Sequence, residues 1–168
     1  MPALSEAERD AFLAERGVLM RIATVSADGA PHVTPIWFAH EEGRIWFTPR
    51  RASAWREHLL RDPRVALSID EQPLPYRKVV VEGRAELAFD LGEDARWRDR
   101  YLRIASRYVP DAEARAYVEA TLDQTRALFA VELARAIVRS WRMPVGDEPY
   151  AGIWHYRYYA PGTKLAAG

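Results

Sequence analysis

Apolar positions along the chain change their spacing several times, and each change marks an element. Ser5 followed by Glu8 is a capping-box pattern and Gly17 a stop signal, which predicts a first helix over residues 5–16. Val18–Val25 predicts a strand closed by an Asp28-Gly29 turn. His32–His40 predicts a second strand, with Val33, Pro35, Trp37 and Ala39 on one face and Thr34, Ile36 and Phe38 on the other. Pro35 has no amide hydrogen, so this strand is expected to have an edge or a bulge there. Glu41-Glu42-Gly43 then turns the chain into a strand over Arg44–Thr48.

Beyond this point the pattern changes. Pro49-Arg50-Arg51-Ala52 reads as a loop, and Ser53 suits the N-cap of a short helix ending near Asp62-Pro63. Arg64–Asp70 is a strand and Gln72-Pro73-Leu74-Pro75 a rigid loop. Arg77–Phe89 is a long strand in which Gly83 marks a bulge or barrel bend. Residues 91–108 predict a helix: Asp90 and Glu93 give a capping-box variant, and Trp97, Tyr101, Ile104 and Tyr108 share a face. Asp111 is expected to cap a second helix with Ala114, Val118 and Leu122 inward. Arg126–Met143 returns to β character as two strands broken near Ala134-Arg135.

These elements predict a mainly β domain over residues 1–143, with six or so antiparallel strands, peripheral helices and a helical insertion at about 91–122. A closed or split barrel fits best, because closure removes exposed edges. The tail over 144–168 is too aromatic to be disordered by composition and is expected to pack on the barrel or on a partner subunit.

Composition narrows the function. The 168 residues suit one domain, and the 24 basic and 24 acidic side chains balance. That neutrality argues against a general nucleic-acid or membrane-surface binder, and scattered acids count against aromatics and arginines that stack bases. Lys78 and Lys164 are the only lysines. Codon bias explains most of the arginines, but a guanidinium fork also suits phosphate at a fixed site. There is no cysteine, so disulfides and thiolate chemistry are excluded. Residues 1–17 lack an apolar signal core and no run is long enough to span a bilayer, so a cytoplasmic protein is expected.

Four segments are candidates for chemistry. Thr48-Pro-Arg-Arg-Ala-Ser-Ala-Trp-Arg56 gathers arginines at a helix start, where unpaired amides and partial positive charge seat phosphate; it equally fits a solvated loop with an ordinary serine cap. In Pro31–Phe38, backbone groups beside Pro35 can bond a planar heteroaromatic ring, or the segment is an ordinary edge strand. Tyr76 and Arg77 can reach a ligand or anchor a turn. Trp141 can cover a ring system or simply pack. His32, His40, His58 and His155 lack metal-ligand spacing, so no metal is expected, and no Walker loop, G-x-G-x-x-G or G-x-S-x-G elbow is present. Any enzyme chemistry is therefore expected from a cofactor.

The string ATVSADGAPHVTPIWFAHEEGRIWFTPRRASAWREHLLRDPRVALSID, followed by PYRKVVVEGRAEL, resembles the pyridoxamine 5′-phosphate oxidase-like split β-barrel superfamily, and within it the flavin/deazaflavin (F420)-dependent oxidoreductases. The likeness covers about residues 5–89, and IVRSWRM more loosely. Its specificity lies in the order of several motifs: the D-G turn, T-P-x-W, the aromatic-Thr strand end, the basic Ser-capped helix, D-P-R-V and V-E-G-R-A.

The resemblance implies a homodimer with two flavin sites between the barrels. It places Thr34, Pro35, Ile36 and Trp37 along the isoalloxazine ring. It places Thr48, Arg50, Arg51 and Ser53 at the phosphate, and Tyr76, Arg77 and Trp141 against a cofactor held mainly by the other subunit. Many relatives carry a lysine two residues after the serine, where this chain has Trp55; Arg56 or Arg51 can substitute for it, or Trp55 can stack on the cofactor. The implied activity is hydride transfer between FMN, or alternatively F420, and a small unsaturated or planar substrate. The alternative is a non-catalytic flavin, haem or tetrapyrrole binder on the same scaffold.

Overall fold

The computed structural model describes residues 2–148. Its elements are α1 (Glu6–Ala14), β1 (Met20–Val25), β2 (Pro31–Ile36), β3 (Ala39–Glu41), β4 (Arg44–Phe47), α2 (Ala54–Arg61), β5 (Arg64–Asp70), β6 (Lys78–Arg84) and β7 (Glu86–Phe89), then α3 (Arg98–Ser106), α4 (Asp111–Ala120), β8 (Leu128–Glu132) and β9 (Ile137–Trp141). Short 3₁₀ turns precede α3 (Asp94–Arg96) and β9 (Leu133–Arg135). The strands form two sheets, one in the order β2-β1-β5-β6-β9 and the other β3-β4-β8-β7, with every pairing antiparallel. The fold is a mainly β split barrel with four helices, as the sequence predicts.

The strand number is higher than the six or so expected, because two expected strands each divide between the sheets. The strand expected at 32–40 stops at Ile36 and resumes as β3 in the other sheet. Fully buried Phe38 enters the barrel at this break. The Phe38 amide donates to the Tyr108 hydroxyl (3.1 Å), which itself donates to the Val18 carbonyl (2.9 Å), so a side chain replaces the ladder there. The strand expected at 77–89 divides at Ala85, whose amide donates to the Pro63 carbonyl at 2.8 Å. Gly83 is not the break. A Cβ there would lie 3.1 Å from Ala136 Cβ and 3.2 Å from Val131 Cγ1, so Gly83 permits close approach of the chain around β8.

The helices differ at their starts. The 91–108 helix begins only at Arg98, and the Asp90 amide bonds Glu93 Oε2 (2.8 Å) to close a turn ahead of it. Asp111 is the first residue of α4, with Pro110 at the N-cap, and Leu122 lies exposed beyond the helix end. The Ser5–Glu8 capping box on α1 forms as predicted. Glu42 and Gly43 both have positive φ (57° and 69°), the backbone of a tight hairpin turn that joins β3 to β4.

Two apolar layers result. Phe12, Ile22, Phe47, Leu67, Phe129 and Val131 fill the barrel. Trp46, Trp97, Tyr101, Ile104, Val118, Leu128 and Ala130 lie between the four-stranded sheet and α3/α4. β8 serves both layers, which explains its unbroken apolar run. The aromatic tail beyond residue 148 lies outside the described residues. Among those residues no helix is long and apolar enough to cross a membrane.

Candidate functional site

The site begins where β4 leaves its sheet. β4 pairs with β8 so that Phe47 faces Phe129, and the same register continues past the strand ends to an isolated bridge between Arg50 and Arg126. Flanking bonds from the Arg51 amide to the Thr125 carbonyl (3.0 Å) and from the Ala127 amide to the Pro49 carbonyl (3.1 Å) fix it. Two arginines distant in sequence therefore stand side by side. Both donate to the Tyr117 hydroxyl of α4, Arg50 Nη2 at 3.0 Å and Arg126 Nη2 at 3.1 Å.

Arg126 is only 7% exposed, and its guanidinium lies 4.5 Å over the ring of Tyr101, which is equally buried. Arg126 Nε has no hydrogen-bond partner among the described residues. No described carboxylate pairs with Arg50, Arg51 or Arg126. The Asp94 carboxylate accepts from the Arg126 backbone amide (2.8 Å) and from the Gly92 amide (3.2 Å) instead. Burial pushes the Tyr101 hydroxyl pKa up. Burial acts the same way on Tyr117, but the Tyr101 hydroxyl and the Arg126 and Arg50 cations outweigh it and hold Tyr117 below the ordinary tyrosine value.

These groups line a concavity of about 290 Å³. Pro35, Ile36, Trp37, Thr48, Arg50, Ser53 and Trp55, all singled out in the sequence, share its wall. Tyr101, Ile104, Tyr117 and Arg126 complete it from the helical layer, and sequence reasoning missed them. Their apolar periodicity reads as core, and Arg126 stands alone without a motif. Trp37 is held by parallel stacking on Tyr108 (centroids 4.9 Å apart), with the Tyr117 ring edge-on at 5.6 Å.

Of the remaining sequence candidates, Thr34, Arg51 and Arg56 do not line the concavity. Exposed Arg51 donates from Nε to Thr125 Oγ1 (3.2 Å). Ser53 occupies the N-cap position of α2 but does not cap it; its hydroxyl accepts from the Arg50 amide (3.1 Å) and shapes the loop. Thr34 is half-buried and bonds His32 Nε2 at 2.8 Å. Beneath the concavity, Trp55 is a buried wall beside Phe47, while Arg56 binds Asp90 (2.7 Å) and Glu57 (2.6 Å). Tyr76, Arg77 and Trp141 lie by β6 and β9, at the opposite edge of the five-stranded sheet from β2. Within one chain they do not join the concavity. Arg77 is held by Glu71 (2.6 Å) and Glu15 (2.5 Å) over the Phe12 ring.

Among the described residues, β2 lies at one edge of its sheet. Pro31 and Pro35 have no N–H for the β1 ladder, so a satisfied pairing requires odd-numbered β2 residues to face outward. That edge then offers the carbonyls of residues 31, 33 and 35 and the single amide of Val33. Val33 is 60% exposed.

The sequence signature of the pyridoxamine 5′-phosphate oxidase family matches residues 5–135. The chain belongs to this family. No match is found among curated proteins. Among solved structures, an F420 reductase is 26% identical (TM-score 0.55), the match covering 82% of this chain and 96% of that one. An FAD-binding protein from Mesorhizobium loti is 22% identical (TM-score 0.58, 83% and 95% covered). The haem storage protein of Vibrio cholerae is 18% identical (TM-score 0.58, 80% and 94% covered). The last two likenesses speak for the split-barrel fold alone.

Proposed function

We propose that this family member binds a phosphate-bearing flavin or deazaflavin in the concavity between β2, the start of α2 and the helical layer, and acts as an oxidoreductase. One observation carries the reading: the ring-facing residues Pro35, Ile36 and Trp37 and the phosphate-facing residues Thr48, Arg50 and Ser53 line one wall. The donor set fits the group. Arginines without carboxylates suit a phosphate ester, and β2's outward carbonyls suit a ring that donates N–H. FMN is the first choice and F420 the alternative. The bound cofactor would supply the hydride chemistry; the chain's own residues bind, orient and exclude water.

The protein acts as a homodimer in this reading. Ala23, Ala66, Ser68 and Val80 are half-buried on the outer face of the five-stranded sheet, interspersed with the ion pairs Arg21–Asp70 and Arg139–Glu82, and this mixed surface is the one assigned to a second copy. From that copy, Tyr76 and Trp141 would reach the ring. Arg77, held by two carboxylates, would fix the loop that carries Tyr76.

The test is the visible spectrum of the purified protein, followed by titration with FMN and with F420. A colourless protein that binds neither at micromolar concentration overturns the proposal. Reduction of bound flavin by NAD(P)H, or of an acceptor by reduced F420, supports an enzyme; binding without turnover supports a carrier.

A further inference from the structure

We propose that Arg126, on the segment joining α4 to β8, is an anchoring residue for the ligand's anionic group, and that Arg126 and Arg50 together form a two-guanidinium seat for a phosphate monoester. The inference deepens the reading above and rests on it for the rest of the ligand.

Electrostatics carry the argument. Like charges placed opposite each other on neighbouring strands destabilise the pairing. The Arg50–Arg126 bridge is such a pair, and one of its members is nine-tenths buried. Buried charge is ordinarily matched by an opposite charge, as Arg56 is by Asp90. Here the two cations converge on one neutral hydroxyl, that of Tyr117. Arg126 Nε remains without a partner among the described residues, beside the same concavity. A phosphate dianion would supply the missing charge and several acceptor oxygens, with the Tyr117 hydroxyl free to donate to one of them.

The experiment compares FMN with riboflavin, which lacks the phosphate, on the full chain. Wild type is expected to bind FMN at least tenfold more tightly. Arg126→Met is expected to abolish that preference while riboflavin affinity stays within about twofold, and Arg126→Lys to retain part of it. Should Arg126→Met fail to fold, Arg50→Met and Arg126→Lys carry the same comparison. A parallel arm follows thermal stability with inorganic phosphate. If wild type binds neither flavin, yet phosphate raises its Tm and does not raise that of Arg126→Met, the seat stands and the flavin reading falls. If flavin binds with no preference for FMN, or if Arg126→Met keeps the preference, the seat is overturned and the flavin reading survives. If neither flavin nor phosphate acts on wild type, both fall.

Discussion

Arg77 and Arg126 are both substantially buried, yet they live in opposite surroundings. Arg77 is clasped by Glu71 and Glu15 and covers Phe12. Arg126 covers Tyr101, faces a second arginine and meets no carboxylate among the described residues. In the first region the chain neutralises its own charge and gains a fixed loop. In the second it gathers cations around a concavity, where the proposed ligand would supply the counter-charge. The state of pairing, more than the number of arginines, separates framework from site.

Arg77→Met leaves the Glu71 carboxylate, which is held below its usual pKa by Arg77 and is 12% exposed, without its cation. Removing one partner of a buried pair costs about 3–5 kcal/mol. With Arg77 25% exposed, a loss of roughly 2 kcal/mol is expected, read as a lower urea midpoint. The FMN-to-riboflavin preference should not change; its collapse would place Arg77 in the ligand seat. Arg56→Met should cost less, about 1 kcal/mol, because Asp90 is half exposed and regains water.

A double-mutant cycle measures the two arginine pairs directly. Without ligand, the Arg50–Arg126 coupling should be unfavourable by about 0.5 kcal/mol, opposite in sign to the Arg77–Glu71 coupling. A favourable value would remove the energetic reason for an anion. The smallest effect concerns an exposed framework pair. Arg64 holds Asp62 at about 2 against an ordinary 3.8. The depressed folded-state pKa means that this stabilisation is present at neutral pH and is lost as pH falls from about 4 to 2. Arg64→Met should flatten the acid limb of the stability profile in that window.

Much of the fold was legible along the chain. The Ser5–Glu8 cap, the Glu42-Gly43 turn, the Pro35 edge and the break near Ala134-Arg135 rest on local chemistry, and they appear where the pattern puts them. The residues of Pro35–Trp37, and Thr48, Arg50 and Ser53, which line the concavity, lie in short contiguous segments that the sequence singles out. Hidden from the sequence were the divisions at Trp37-Phe38 and Ala85. The first depends on Tyr108 and the second on Pro63, partners remote along the chain.

Local pattern therefore determined most of the strands and turns, the cap of α1, the basic character of the α2 entry and the apolar stripe of α3. Tertiary structure alone decided which arginines are paired with carboxylates and which face the concavity. A guanidinium's role depends on what faces it across space. Register placed Arg126 beside Arg50, α4 brought Tyr117 between them, and the carboxylates that occupy Arg56 and Arg77 lie elsewhere.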